Sequence, residues 1–341
     1  MTTAGETRGT PMAQTEAQAD FPQLADPYRR ELLAHCYRML GSVHDAEDLV
    51  QETYLRAWRA YDKFEGRSSL RTWLHTIATR ACLTALESRG KRPLPTGLGA
   101  PSSSASDELI TQDEVPWLEP IPDTMIDGGG TADPASVVGS RESVRLAFIA
   151  ALQHLPPKQR AVLILRDVLK WKAAEVAEQL ELTTAAVNSA LQRAHAAMGK
   201  AGLTEESVQE PDDAEQRRLL DSWMAAFEAK DMRAIVRLFT EDAVWEMPPF
   251  IGWYQGPETI GQLIDTSCPA KGPGDQRLVP TTANGQPAFG LYMIDPETGD
   301  HKAFQLQVLD IVGGRVRHCV AFFETSLFET FGLPAVLPAQ R

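Results

Sequence analysis

Three carboxylates pose the first chemical question. With Val43 to Tyr61 (VHDAEDLVQETYLRAWRAY) set at 100° per residue, Asp45, Asp48 and Glu52 fall on one narrow arc. Ala46, Leu49, Val50, Thr53, Ala57 and Tyr61 share the core side. Such a stripe is either a solvated face or a docking edge for a basic groove on a partner protein. The next helical stretch, about Ser69 to Arg89, points Leu70, Leu74, Ile77, Ala81 and Ala85 inward. Arg71, His75 and Arg89 line one flank, and Trp73 and Arg80 nearly eclipse each other on the opposite one. A tryptophan beside an arginine offers an unpaired nucleic-acid strand a stacking surface and a phosphate partner. The bland alternative is a core aromatic among solvated arginines.

A third pattern lies further along. Leu155-Pro-Pro-Lys-Gln-Arg160 opens a helix, Lys172 to Leu180 forms a short one with Ala174, Val176, Ala177 and Leu180 inward, and Glu181-Leu-Thr183 turns into a helix from Thr184 to about Met198. That last helix buries Val187, Ala190, Leu191, Ala194 and Met198. It presents Ala185, Asn188, Ser189, Gln192, Ala196 and, at the edge, Arg193. Short polar side chains let a helix backbone approach the floor of a major groove, although a plain αα-hairpin has the same pattern. Near the C-terminus Asp310 and His318 are the candidates for acid–base work, and Trp223, Trp245, Phe250 and Trp253 for an apolar ligand pocket. A non-catalytic role is the expectation for this part.

The elements that must carry these residues follow from composition and punctuation. The chain has 341 residues, 43% of them hydrophobic, enough for two or three domains. No apolar run reaches the ~18 residues of a membrane helix, and no signal peptide opens the chain. Cys36, Cys82, Cys268 and Cys319 are too scattered for a disulfide framework or a zinc site, which fits buried thiols in a reducing cytoplasm. The net charge of −13 disfavours a nucleic-acid binder until it is mapped. Residues 67–92 hold six Lys/Arg against one acid, residues 140–200 nine against five, and residues 93–139 eight acids and no Lys or Arg. Local basic islands suffice, because charges more than ~8–10 Å away are screened.

Residues 1–22 are small and polar and are expected to be disordered. Helical patterning begins at Asp26-Pro27 and fills a domain over 23–92. An acidic Pro/Gly/Ser linker covers 93–139 and a helix-turn-helix domain 140–203. An α+β domain over 212–335 follows, with strands near 243–254, 276–283, 287–294, 302–312 and 315–323. Asn284-Gly285 and Gly313-Gly314 mark hairpins.

The succession Asp45-Ala-Glu-Asp-Leu-Val-Gln-Glu-Thr53, Ser69-Leu-Arg-Thr-Trp-Leu74 and Leu155-Pro-Pro-Lys-Gln-Arg160 closely resembles the extracytoplasmic-function (ECF) branch of the sigma-70 family of bacterial RNA polymerase sigma factors. The resemblance covers about residues 24–200 and implies two all-α domains, sigma regions 2 and 4. It implies that Asp45, Asp48, Leu49, Gln51 and Glu52 dock on the β′ clamp of core RNA polymerase. Arg67, Arg71, Trp73, His75, Arg80 and Arg89 would then take the minus-ten element of promoter DNA, and Lys172, Thr184, Ala185, Asn188, Ser189, Gln192 and Arg193 the minus-thirty-five element. Arg80 and Thr84 stand where many relatives carry Asn and Asp, so base preference there does not carry over. Residues 212–335, with Asp221-Ser-Trp-Met-Ala-Ala-Phe and Leu238-Phe-Thr-Glu-Asp-Ala-Val-Trp245, resemble the cone-shaped SnoaL-like domains of the nuclear-transport-factor-2-like superfamily. The resemblance implies a non-catalytic initiation factor without cofactor or metal, regulated intramolecularly by its own C-terminal domain. Trp117-Leu-Glu-Pro120 and Asp127-Gly-Gly-Gly130 are the expected contacts for that domain, against a flexible linker as the alternative.

Overall fold

The computed structural model describes residues 21–88, 90–102, 104–126, 142–200 and 213–339. Asp127-Gly-Gly-Gly130, Arg89 and nearly all of the expected disordered N-terminus lie outside them. Two compact units emerge, one drawn from Met1–Arg89, Met125–Ala132 and Pro156–Ala194, the other from Gly90–Thr124, Asp133–Leu155 and His195–Arg341.

In the first unit, α1 (Arg29–Leu40), α2 (Val43–Ala60) and α3 (Leu70–Ser88) pack on one another. Pro27 sits in a 3₁₀ turn over Asp26–Tyr28 that leads into α1. Gly41 ends α1 in the left-handed conformation at φ 71°, which a Cβ would strain. Ser42 then caps α2, its hydroxyl accepting the Asp45 N–H at 3.1 Å. Val43, Ala46, Val50, Thr53 and Ala57 form the buried stripe of α2. The helix-turn-helix follows as α5 (Pro157–Leu163), a π turn over Ile164–Val168, α6 (Ala173–Leu180) and α7 (Thr184–Lys200), the last grouping with this unit as far as Ala194; α4 (Leu146–Gln153), which precedes it in sequence, groups with the second unit. Glu181, at φ 56°, makes the turn, and the Thr183 hydroxyl accepts the Ala186 N–H at 3.1 Å to start α7. Val176, Ala177, Leu180, Val187, Ala190 and Ala194 are buried, whereas Ala174, expected inward, is exposed.

In the second unit a seven-stranded sheet comprises β1 (Phe239–Glu246), β2 (Trp253–Gln255), β3 (Gln276–Ala283), β4 (Gln286–Ile294), β5 (His301–Val312), β6 (Arg315–Phe322) and β7 (Val336–Leu337). Its order is β2-β1-β6-β5-β4-β3, with β7 on β5 and only β1–β6 parallel. Asn284-Gly285 and Gly313-Gly314, all at positive φ, turn the two hairpins. The run expected over 243–254 is two strands, interrupted at Pro248-Pro249, where the backbone has no N–H to donate. Helices α8 (Asp213–Glu228), α9 (Met232–Arg237) and α10 (Pro257–Ser267) complete the unit, α8 against β3 and α10 against β1.

The segment read as a linker is laid along this sheet over its described part. Ser102 N–H donates to the Trp253 carbonyl at 2.8 Å, Gln112 N–H to Pro249 at 3.0 Å, and Ile251 N–H to Ile110 at 3.1 Å. Ala105, 2% exposed, joins the core built on Trp223, Phe239, Trp245 and Leu309. Cys36, Cys82 and Cys319 are buried as small apolar groups, and Cys268 is half-buried.

Candidate polymerase and nucleic-acid interface

On α2 the carboxylate stripe faces outward. Asp48 and Gln51 are exposed, and Asp45, Leu49 and Glu52 are half-exposed. Glu52 accepts from Arg56 Nε one turn on, at 2.7 Å. The same face continues into Leu55, 50% exposed, and Trp58, 43% exposed. These two are absent from the sequence reading; the signal for them was an apolar pair at i, i+3 interrupting a polar face.

The aromatic and cationic residues around α3 separate into free and engaged. Trp73 is half-buried, its ring 4.8 Å from Phe64 and 6.4 Å from Tyr61. Arg67 extends into solvent beside Glu65. Arg71 is held by Glu31 through both its Nε and Nη2. Burial alone would raise the Glu31 carboxyl, but the hydrogen bonds of His75 and Arg71 outweigh it and bring it down to about 2. His75 corrects the expectation of an outer flank: it is fully buried, 3.2 Å from Glu31, with its ring 5.1 Å from His35 and 6.2 Å from Trp171. The carboxylate at its edge is what makes an interior site tolerable for an imidazole. Arg80 is exposed, and its Nη2 reaches the Gln179 carbonyl at 3.4 Å and Glu181 at 3.3 Å.

The contacts of His75 and Arg80 reach from α3 to the helix-turn-helix. Gln179 Nε2 donates to the His75 carbonyl at 3.4 Å, and Arg160, 2% exposed, donates to the Met39 carbonyl. Burial lowers the Arg160 guanidinium to about 10, which leaves it charged at neutral pH. The residues expected at a major groove, Lys172, Thr184, Ala185, Asn188, Ser189, Gln192 and Arg193, are all exposed.

In the second unit the four aromatics do not line a common pocket, which corrects that expectation. Trp223 and Trp245 are stacked in the core, the first donating its indole N–H to Gln307 at 2.9 Å. Phe250 packs on Phe323, and Trp253 donates to the Gly99 carbonyl at 2.9 Å. A surface groove lies elsewhere, lined by Pro101, Ser102, Glu241, Asp242 and Thr259 among others. Asp310 is no free base: it holds Arg145 at 2.5 Å and Arg317 at 2.6 Å, and although burial would raise its carboxyl, the two guanidinium charges hold it below the ordinary value. His318 Nε2 lies 2.6 Å from Glu246, a buried carboxylate that takes the Thr96 N–H on its other oxygen at 2.7 Å. In the Trp117–Pro120 stretch, Arg92 donates to the Trp117 carbonyl at 2.9 Å and Leu118 is fully buried.

Comparison with known proteins matches Sigma-70 region 2 to residues 24–92, Sigma-70 region 4 to residues 145–198 and a SnoaL-like domain to residues 220–318. The chain is 59% identical over 321 residues to the ECF RNA polymerase sigma factor SigG of Mycobacterium tuberculosis, covering 94% of this chain and 85% of that one. It is 30% identical over 254 residues to SigJ of the same species, covering 72% of each. The crystal structure of SigJ superposes with a TM-score of 0.60 at 23% identity, over 92% of this chain and 99% of that one, a likeness of fold.

Proposed function

The chain belongs to the extracytoplasmic-function RNA polymerase sigma factors, non-catalytic initiation factors that bind core polymerase and direct it to promoters, and from that premise we propose how its surfaces divide the work. Asp45, Asp48, Leu49, Gln51 and Glu52 dock on the β′ clamp, with Leu55 and Trp58 extending the contact as an apolar anchor. Trp73 with Phe64, together with Arg67 and Arg80, receives the opened minus-ten strand. Lys172 and the outer face of α7 enter the major groove at minus thirty-five. The C-terminal domain modulates these activities through the segments that join regions 2 and 4.

The observation that carries this reading is the outward stripe on α2, whose carboxylates stand clear of the buried Val43–Ala57 face. Replacing Asp45 and Asp48 with Lys is expected to cut co-purification with core polymerase at least tenfold while helix content stays unchanged. Retained binding overturns the docking surface. Modulation is tested by run-off transcription with the full chain beside a chain ending at Leu203. A difference gives its sign, and equal activity overturns it.

A further inference from the structure

One end of the C-terminal sheet grips the chain on both sides of residues 127–141. At the β3–β4 turn Asn284 is fully buried, and its side chain serves two segments at once. Its Oδ1 accepts the Ile121 N–H at 3.0 Å, and its Nδ2 donates to the Val144 carbonyl at 2.6 Å. Its own N–H donates to the Ile121 carbonyl at 3.0 Å, and the Gly285 N–H to Asp123 at 2.7 Å. One residue on, Gln286 Oε1 accepts the Leu146 N–H at 3.0 Å while its Nε2 donates to the Leu309 carbonyl at 3.2 Å. Arg145 completes the grip on Asp310.

These contacts fall on a helix that needs them. Helix α4 has eight residues, and its N-cap residue, Arg145, supplies no side-chain cap. Helices that short are marginal in water, and their first N–H groups require acceptors from elsewhere. Gln286 supplies one across 140 residues of sequence. The region 4 match begins at Arg145, so the helix held in this way is the first of region 4. Residues Pro156–Ala194 group with the first unit.

We infer that Asn284, Gln286 and Asp310 form a latch in which the C-terminal domain holds the first helix of region 4, and that releasing the latch changes promoter activity; the second half rests on the modulation proposed above. The contacts on both sides of residues 127–141 converge on Asn284, so the latch can be loosened from either partner.

Two full-chain variants test it. Asn284→Gly keeps a residue suited to the left-handed turn but removes the amide, and Arg145→Gln removes the ion pair from the helix side. In both, amides 144–152 are expected to exchange at least tenfold faster, while those of β4 and β5 keep their protection. Run-off transcription with core polymerase is expected to shift at least threefold, in the direction taken by the chain ending at Leu203. Unchanged exchange at 144–152 in both variants overturns the latch and leaves domain-level modulation standing. Faster exchange with unaltered run-off, where the shortened chain does differ, overturns the latch as a control point. A shortened chain equal to the full one overturns modulation itself.

Discussion

Glu31 shows how a single carboxyl couples two helices. It faces His75 and Arg71 of α3 from α1, and it titrates near 2 in the folded chain against an ordinary 4.5. A folded value below the unfolded one contributes stability that is complete above about pH 4.5 and drains away as pH falls toward 2. At most the gap amounts to about 3 kcal/mol. Urea midpoints followed by helix ellipticity should therefore fall between pH 5 and 3 more steeply in the native chain than in Glu31→Gln. Superimposable pH profiles would refute this role. Arg80 is the counter-example at the same scale. Its pairing with Glu181 is solvent-exposed on both sides, and such pairs contribute little, about 0–1 kcal/mol. That contact can yield to a phosphate.

Helix α7 separates scaffold from the proposed reading surface residue by residue. Val187→Ala, in the buried face, should cost on the order of 2 kcal/mol of stability. Asn188→Ala, next door and exposed, should change stability by less than about 0.5 kcal/mol yet lower minus-thirty-five discrimination by about 1–3 kcal/mol. Thermal melts beside promoter-binding titrations in holoenzyme separate the two; equal effects on both readouts would mean the face assignment is wrong. This alternation was legible in the sequence because a 3.6-residue period depends only on neighbours along one helix. So were the β3–β4 and β5–β6 turns, since Asn-Gly and Gly-Gly tolerate positive φ. Long-range pairing was not legible. His75 has the spacing of an outer-flank residue, and nothing near it in sequence announces Glu31, 44 positions away, beside its ring. Pro, Gly and Ser in 93–126 read as a linker because nothing local reveals the backbone groups of Trp253, Pro249 and Ile251 that share their hydrogen bonds. Nor does anything local to Glu246 announce that Thr96 and His318 meet on it.

The scale of the whole molecule sets a length that the first unit does not meet. The minus-ten and minus-thirty-five elements lie about 25 base pairs apart, or roughly 85 Å of duplex. Within the first unit, however, α3 and the helix-turn-helix touch: Arg80 is 3.3 Å from Glu181, Gln179 is bonded to His75, and Arg160 reaches the carbonyl of Met39. With α3 and α7 taking the two elements as proposed, a chain in this arrangement engages one but not both, and promoter binding requires these contacts to part. Arg160 is buried, 2% exposed. Extracting it breaks the bond to the Met39 carbonyl and returns a desolvated guanidinium to solvent, two terms of opposite sign. Fluorescent labels at Thr84 on α3 and Ala186 on α7, both in the first unit, should give high transfer efficiency in the free factor and lose nearly all of it on assembly with core polymerase and promoter. Efficiency that stays high in an active promoter complex would refute the opening, and with it the assignment of the two DNA elements to these two helices.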